Sequence, residues 1–438
     1  MIRLFLALAF FAPQAYCGQK AADSLSSLSQ LNAAASVKID KIGLPHARPA
    51  LAGPDKTDSP LNGRFWVTVE APTREDRGML EKNGLAFESF NGKYVSGTID
   101  SESLAQIRKL GFKITYQATL ADFNLNFIKD FPPQDARYHN YSEMYGVLKE
   151  INEKLPDLTT LMSIGKTFEG REIWALRFNS TEKTGVSKKP GVAYLGAHHA
   201  REHLSVELPL AFAQWLADNS AKPEVKKLMQ ERDVFIIPMV NADGAEYDIA
   251  KGQYAWWRKN RAKLPNSSSI GVDLNRNYGW HWGGDSTNPG SETYQGPEAF
   301  SEPESSAVKN FFDTYTNMKI MISYHTYGQM VLYPWGDVYD QLEDKKDLQA
   351  HITIARKIAA ITGYRAMQSS ELYPATGDSC DWSYGAHKVL SFTIEADPGR
   401  SGYGGFYPGS AIVDTASKYN NEASYYVLQK AGDPYSDQ

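Results

Sequence analysis

Apolar and polar positions first alternate in a strand pattern at Phe65-Trp66-Val67-Thr68-Val69, and helical spacing follows from Arg74 to Asn83. Two further strand signals flank Asn91-Gly92, a hairpin-turn dipeptide. Ser101 to Leu110 has helical spacing, and a last strand is expected at Lys113 to Tyr116. The order β-α-β-β-α-β predicts a small α+β, ferredoxin-like unit of the split βαβ kind over residues 64–117. Nothing in it carries chemistry.

The pattern changes after Asn124 to Arg137, a connector containing Pro132-Pro133. Four continuous apolar runs, Gly191 to Leu195, Val234 to Val240, Ile320 to Tyr324 and Leu390 to Ile394, alternate with helical patterns such as Leu204 to Asp218 and Glu302 to Thr314. Such runs belong to strands buried on both faces. The fold expected is α/β, a mixed, largely parallel central sheet with helices on both faces. His199 follows the first run, Asn241 to Gly244 the second, His325 the third and Glu395 the fourth. Open α/β sheets bind ligands outside the carboxyl ends of their strands, so four strand ends are expected to converge on one crevice.

The N-terminus adds a processing signal: Arg3, an apolar run from Leu4 to Phe11, and Ala15-Tyr16-Cys17 before Gly18. The run is too short for a bilayer span. Residues 1–17 are read as a signal peptide, which makes the product secreted or periplasmic; a lipoprotein role for Cys17 is disfavoured by the bulky Tyr16. Residues 18–63, rich in Ala, Ser, Asp and Pro, read as a flexible linker. Length then suggests two or three folded units for 438 residues, and 42% hydrophobic content sustains an enzyme-sized core. A net charge of -5 offers no bulk attraction to nucleic acid. Loss of Cys17 on cleavage leaves Cys380 as the one thiol, so a large core rather than a disulfide must hold the protein together. Nothing in the sequence suggests more than a monomer.

His199 and Glu202 stand three residues apart at the entry to the Leu204 helix, and His325 comes from a distant strand end. Two nitrogens and a carboxylate oxygen, with a fourth position left to water, suit catalytic zinc. With nine His and 51 acids in the chain, a His-x-x-acid match arises about once by chance, so the convergence of strand ends is what gives this one weight. His198 and His203 compete as ligands, but the same spacing takes them to Arg201 and Val206.

These residues, with others in order, resemble the zinc metallocarboxypeptidases of the carboxypeptidase A, B and T type, and carboxypeptidase T most closely. The resemblance runs from near Asp130 to the C-terminus. It rests on Tyr138-His139-Asn140-Tyr141, Ile164 to Arg171, His199-Ala200-Arg201-Glu202-His203-Leu204, Gly244 to Ile249, Trp257-Arg258-Lys259-Asn260-Arg261, Asp273-Leu274-Asn275-Arg276-Asn277-Tyr278, Ser323-Tyr324-His325-Thr326-Tyr327 and Ser391 to Glu395. It implies a peptidase acting on peptides or proteins with a free C-terminal carboxylate. His199, Glu202 and His325 would hold zinc, Glu395 would be the general base and Arg258 the oxyanion stabiliser. Asn275 and Arg276 would grip the terminal carboxylate, Tyr373 would close over the bound residue and Tyr327 would touch substrate. Leu332, Gly336, Thr376, Asp378, Cys380 and Thr393 would form the side-chain pocket. An acid at Asp378 and none at Cys380 implies mixed specificity, apolar with Arg and Lys tolerated; a turn-forming role for Asp378 beside Gly377 is the alternative.

By the same resemblance residues 64–117 are an inhibitory prodomain, 118–129 a connector cut after Lys129, and 130–438 the catalytic domain. A permanent accessory domain is the competing reading of 64–117. Tyr138 and Glu143 match part of a calcium site, but Ala136 stands where a serine oxygen is expected, which leaves calcium open. Two other functions stay open: a cell-wall stem-peptide peptidase of the same fold, and a peptide-binding module without turnover.

Overall fold

The computed structural model describes residues 64–119 and 131–436 except 74–75, 78, 81–82, 92, 133–134, 251, 253, 266, 373 and 400–404. The signal peptide, the linker, most of the connector with Lys129, and Asp130 lie outside the described residues.

The first alternating stretch forms a four-stranded sheet. Its elements are β1 (Arg64–Glu70), β2 (Ala86–Asn91), β3 (Tyr94–Asp100), α1 (Ser101–Lys109) and β4 (Ile114–Thr119). The order is β2-β3-β1-β4 with every pairing antiparallel, the arrangement expected of a split βαβ unit. Val67, Val69, Val95 and Ile99 point to one face, where Leu104 and Ile107 of α1 cover them, so this sheet has a core of its own. The hairpin closes with Asn91 opposite Tyr94, as the Asn-Gly signal predicts. The last strand runs to Thr119 rather than Tyr116, because Ala118 and Thr119 still pair with Trp66 and Phe65.

The larger sheet has eight strands: β5 (Thr159–Lys166), β6 (Glu172–Phe178), β7 (Gly191–Leu195), β8 (Asp233–Ile237), β9 (Met318–Gly328), β10 (Met330–Tyr333), β11 (Arg365–Gln368) and β12 (Leu390–Gly399). Their order is β11-β10-β12-β9-β7-β8-β6-β5. The middle four, β12-β9-β7-β8, are parallel; β10, β6 and β5 are the antiparallel additions that make the sheet mixed.

Strand geometry shows why the apolar runs are continuous. Val192 and Tyr194 of β7, Val234 and Ile236 of β8, and Ile320, Ile322 and Tyr324 of β9 enter one core, packed under α2 (Tyr141–Lys154), α3 (Leu204–Asp218), α7 (Lys345–Thr362) and α9 (Ile412–Lys430). Their neighbours Ala193, Leu195, Phe235, Ile237 and Met321 enter the other, covered by Val308, Phe311 and Phe312 of α6 (Pro303–Thr314). Three shorter helices complete the layers: α4 (Pro223–Glu231), α5 (Ala242–Ile249) and α8 (Ser379–His387). No helix among the described residues is long and apolar enough to cross a membrane.

Three strand boundaries of this sheet differ from those the apolar runs predict. The second run stops at Ile237 rather than Val240, where Pro238 supplies no ladder N–H. The third and fourth continue past their apolar parts, so His325 and Glu395 lie within β9 and β12, not after them. The ladder carries on through polar residues because both strands keep their pairing, with Glu395 opposite His325 and Ala396 opposite Thr326.

Candidate metal centre and cleft

The chain leaves β7 through Gly196, where a Cβ would meet the Ser205 carbonyl at 2.1 Å and that of Pro238 at 2.6 Å. Only glycine permits so close a backbone crossing. Asn241, at the end of the β8 run, donates to the carbonyls of His198 and Lys259, each at 3.1 Å, and Ala200 N–H donates to the Arg258 carbonyl at 3.0 Å. The loop into α3 is thereby locked, with His199 and Glu202 turned to one side.

His199 Nδ1 lies 2.8 Å from Glu202 Oε1, His325 Nδ1 lies 2.9 Å from Glu202 Oε2, and the two ring nitrogens are 3.2 Å apart. All three residues are buried, and among the described residues they are the one group of three such side chains whose ligand atoms converge. Two nitrogens and a carboxylate oxygen facing one point fit a tetrahedral cation with one position open, and that is the donor set of catalytic zinc. Burial would raise the Glu202 carboxyl, but His199 and His325 hold it well below the usual range, so it is present as an anionic ligand. The competing histidines are engaged elsewhere. His198 Nε2 meets the Tyr278 hydroxyl at 2.8 Å and its ring stacks on His325; burial and the two neighbouring histidines keep it uncharged. His203 Nε2 meets Asp248 Oδ2 at 2.8 Å.

Behind the three ligands stands Asp273, the first residue of the Asp273 to Tyr278 motif and not among the candidate site residues. Its Oδ1 lies 3.1 Å from His199 Nε2 and accepts from Asn275 N–H at 3.0 Å; its Oδ2 accepts from Arg258 Nε at 2.9 Å. Burial works against its charge, yet Arg258, His199 and Arg276 hold the carboxyl well below the usual range. One carboxylate thus fixes the outward nitrogen of a ligand and the guanidinium of Arg258, whose Nη1 comes within 4.0 Å of Glu202 Oε1. The available signal was an acid between Val272 and Leu274, because an acid in an apolar stretch needs a charged partner.

The remaining residues group along the same edge of the sheet. Glu395, half-buried, is level with His325 through the β12–β9 ladder. Asn275 and Arg276 sit in a buried 3-10 turn capped by Asp273; Asn275 Oδ1 accepts from Ser379 N–H at 3.0 Å, and Arg276 Nε lies 3.3 Å from Asp285 Oδ1. Asp285 in turn accepts from Thr376 N–H at 2.6 Å. Leu332 pairs with Thr393 in the β10–β12 ladder, and Cys380 Sγ, a buried free thiol, lies 3.1 Å from Thr393 Oγ1. Asp378 caps α8, accepting from Cys380 N–H at 2.8 Å and Asp381 N–H at 3.0 Å. Tyr327 packs edge-on against Phe406. Tyr373 lies outside the described residues. Of the calcium candidates, Glu143 closes the capping box of α2 with Asn140, and the Tyr138 hydroxyl faces the Gly409 carbonyl at 3.5 Å.

Residues 144–421 match the family model described as zinc carboxypeptidase. A zinc carboxypeptidase of Saccharothrix mutabilis subsp. capreolus is 34% identical over 408 residues, covering 88% of this chain and 92% of its own length. That span is longer than residues 130–438, so the likeness reaches into the N-terminal part. Bovine carboxypeptidase A1 is 33% identical over 291 residues, 65% of this chain and 68% of that protein. The crystal structure of the carboxypeptidase A from Helicoverpa armigera superposes with a TM-score of 0.62 at 22% identity, over 87% of this chain and 100% of that one, a likeness of fold.

Proposed function

The chain belongs to the zinc carboxypeptidase family and is a zinc metallocarboxypeptidase, and from that premise we propose that it is exported as a zymogen and removes single residues from the C-termini of peptides. The observation that carries the reading is the convergence of His199, Glu202 and His325, with Glu395 level with His325 in the next strand and Arg258 tied to His199 through Asp273.

When bound by His199, Glu202 and His325, zinc supplies Lewis acidity, polarising the scissile carbonyl and lowering the pKa of water to about 7. Glu395 takes the proton of the attacking water and delivers it to the leaving amine, so one carboxyl serves as base and then as acid. The Arg258 guanidinium meets the negative charge that develops on the carbonyl oxygen. Asp273 aims it. Asn275 and Arg276 take the terminal carboxylate, a planar guanidinium offering two parallel donors, and this restricts cutting to the last bond. Tyr373 closes over that residue, and Tyr327 contacts the chain upstream of it. The side chain enters the pocket of Leu332, Gly336, Thr376, Asp378, Cys380 and Thr393, whose apolar wall and single capping acid suit both apolar and basic residues.

Residues 64–117 act as the intramolecular inhibitor, released by a cut after Lys129. The separate core of this sheet and the reach of the Saccharothrix likeness beyond residue 130 support a distinct N-terminal unit. The test is mass spectrometry of N-blocked peptides ending in Leu, Phe, Arg, Lys or Glu, with amidated controls, before and after cleavage at Lys129. Loss of one residue from free acids alone, by the cut protein and not by its Glu395→Gln variant, is the expected result. Equal activity before and after the cut would remove the zymogen, and equal cutting of amides would remove the roles of Asn275 and Arg276.

A further inference from the structure

At the pocket two carboxylates crowd one glycine. A Cβ on Gly336 would meet Asp378 Oδ2 at 3.3 Å and Asp381 Oδ2 at 3.4 Å, so the absence of a side chain there lets both acids close in. Asp381 is almost wholly buried at 1% exposure, and its Oδ2 accepts from Gly336 N–H at 2.7 Å and Asp337 N–H at 3.2 Å. Its Oδ1 is also buried and has no hydrogen-bond partner among the described residues. An asparagine would hold those two N–H groups equally well, so pinning the loop does not explain an acid here, and an unmatched buried oxygen is costly.

The surroundings supply little positive charge. Asp337 faces both acids and is itself bonded to His281; Arg276 acts on Asp378 but is shared with Asp285; the Cys380 thiol and the Tyr278 phenol are held uncharged by burial. Burial pushes the Asp378 carboxyl up, and burial together with Asp378 pushes that of Asp381 well up. Two carboxyls in one such place do not both ionise until a cation arrives.

We propose that Asp381 is a second specificity-determining acid, forming with Asp378 a carboxyl pair that keeps its proton when an apolar C-terminal side chain enters and releases it to solvent when lysine or arginine enters. One pocket thereby presents a neutral floor to one class of residue and an anionic floor to the other. The inference rests on the carboxypeptidase reading and on the place of Asp378 in its pocket.

The experiment compares kcat/KM for N-blocked peptides ending in Arg and in Leu, from about pH 5 to 8, using the full chain cleaved in place after Lys129 and its Asp381→Asn variant. The ratio of the two cancels every ionisation the substrates share, that of Glu395 included. In the unsubstituted enzyme the Arg-to-Leu ratio rises with pH, by at most about tenfold per unit for one proton exchanged, and then levels. In Asp381→Asn the rise flattens or moves to lower pH. A flat ratio in the unsubstituted enzyme overturns the proposal, even where the variant fails to fold, and so does an unaltered slope in a folded variant. Cleavage of neither peptide removes the underlying reading and the proposal with it; cleavage of Leu peptides with a flat ratio removes the proposal alone.

Discussion

The metal centre and the proposed side-chain pocket lie at the same edge of one sheet, yet they treat buried charge in opposite ways. At the metal centre each buried anion is met: Glu202 by two histidines, Asp273 by Arg258 and His199. At the pocket a buried acid meets another acid, Asp381 beside Asp378, with a third in Asp337. The first arrangement is preorganised, with each charge held by an opposite one. The second is left unbalanced, which is how a site discriminates among ligands of different charge.

The largest effect expected falls on the balanced side. Dialysis against a chelator should reduce peptide cleavage to background, and zinc at one equivalent should restore it; activity that survives proven removal of the metal would break the assignment of His199, Glu202 and His325. Next comes Glu395→Gln, expected to lower kcat by roughly 10²- to 10⁴-fold with zinc still bound. Asp273→Asn should follow with a loss of about 10- to 100-fold in zinc affinity or activity, since its one remaining uncharged oxygen cannot serve both His199 and Arg258. Zinc affinity, read by competition with a chromophoric chelator, separates this from damage to the fold.

Legibility in the sequence divides along similar lines. Gly191 to Leu195 and Leu204 to Asp218 were readable to the residue, because burial on both faces or along a wide stripe leaves an unbroken apolar record. The extensions of β9 and β12 past Tyr324 and Ile394 were not, since pairing there is kept by backbone while the side chains turn polar for the site. His199 and Glu202 showed themselves by spacing only together with the strand ends expected to converge beside them. Asp273 and Asp381 did not, because what marks each is a partner from a distant segment, Arg258 and His199 for one, Gly336 for the other.

A third place tests whether acid beside acid has the same consequence without a ligand to balance it. Glu302 and Glu304, both buried at the start of α6, accept from the one amide of Asn260 at 2.7 and 3.1 Å. Burial pushes the Glu304 carboxyl up to about 7 from an ordinary 4.5. Between those values the folded state holds a proton that the unfolded state has lost, so stability present below pH 4.5 is lost as pH rises through 7, by about 3 kcal/mol. Glu304→Gln should therefore gain on the unsubstituted protein between pH 5 and 8 in urea unfolding. His351 gives the opposite sign. Its Nε2 accepts from Ser391 N–H, and burial draws it down to about 4 from 6.5, so stability is lost as pH falls through that window, again by about 3 kcal/mol. Equal unfolding free energies of the Glu304→Gln and unsubstituted proteins across the range would mean that paired acids here are tolerated without linkage, and the contrast between metal centre and pocket would lose its basis.

The smallest effect on stability is expected at Asp378, where cap and charge can be pulled apart. Asp378 Oδ1 accepts two N–H groups at the start of α8, a task asparagine performs about as well, whereas alanine should cost about 1 kcal/mol. Asp378→Asn should leave the unfolding midpoint nearly unmoved and lower the Arg-to-Leu cleavage ratio. Asp378→Ala should lower both. If the ratio follows the midpoint, falling in the alanine variant and holding in the asparagine one, then Asp378 serves the helix alone, and the preference for basic residues has to be sought in Asp381 without it.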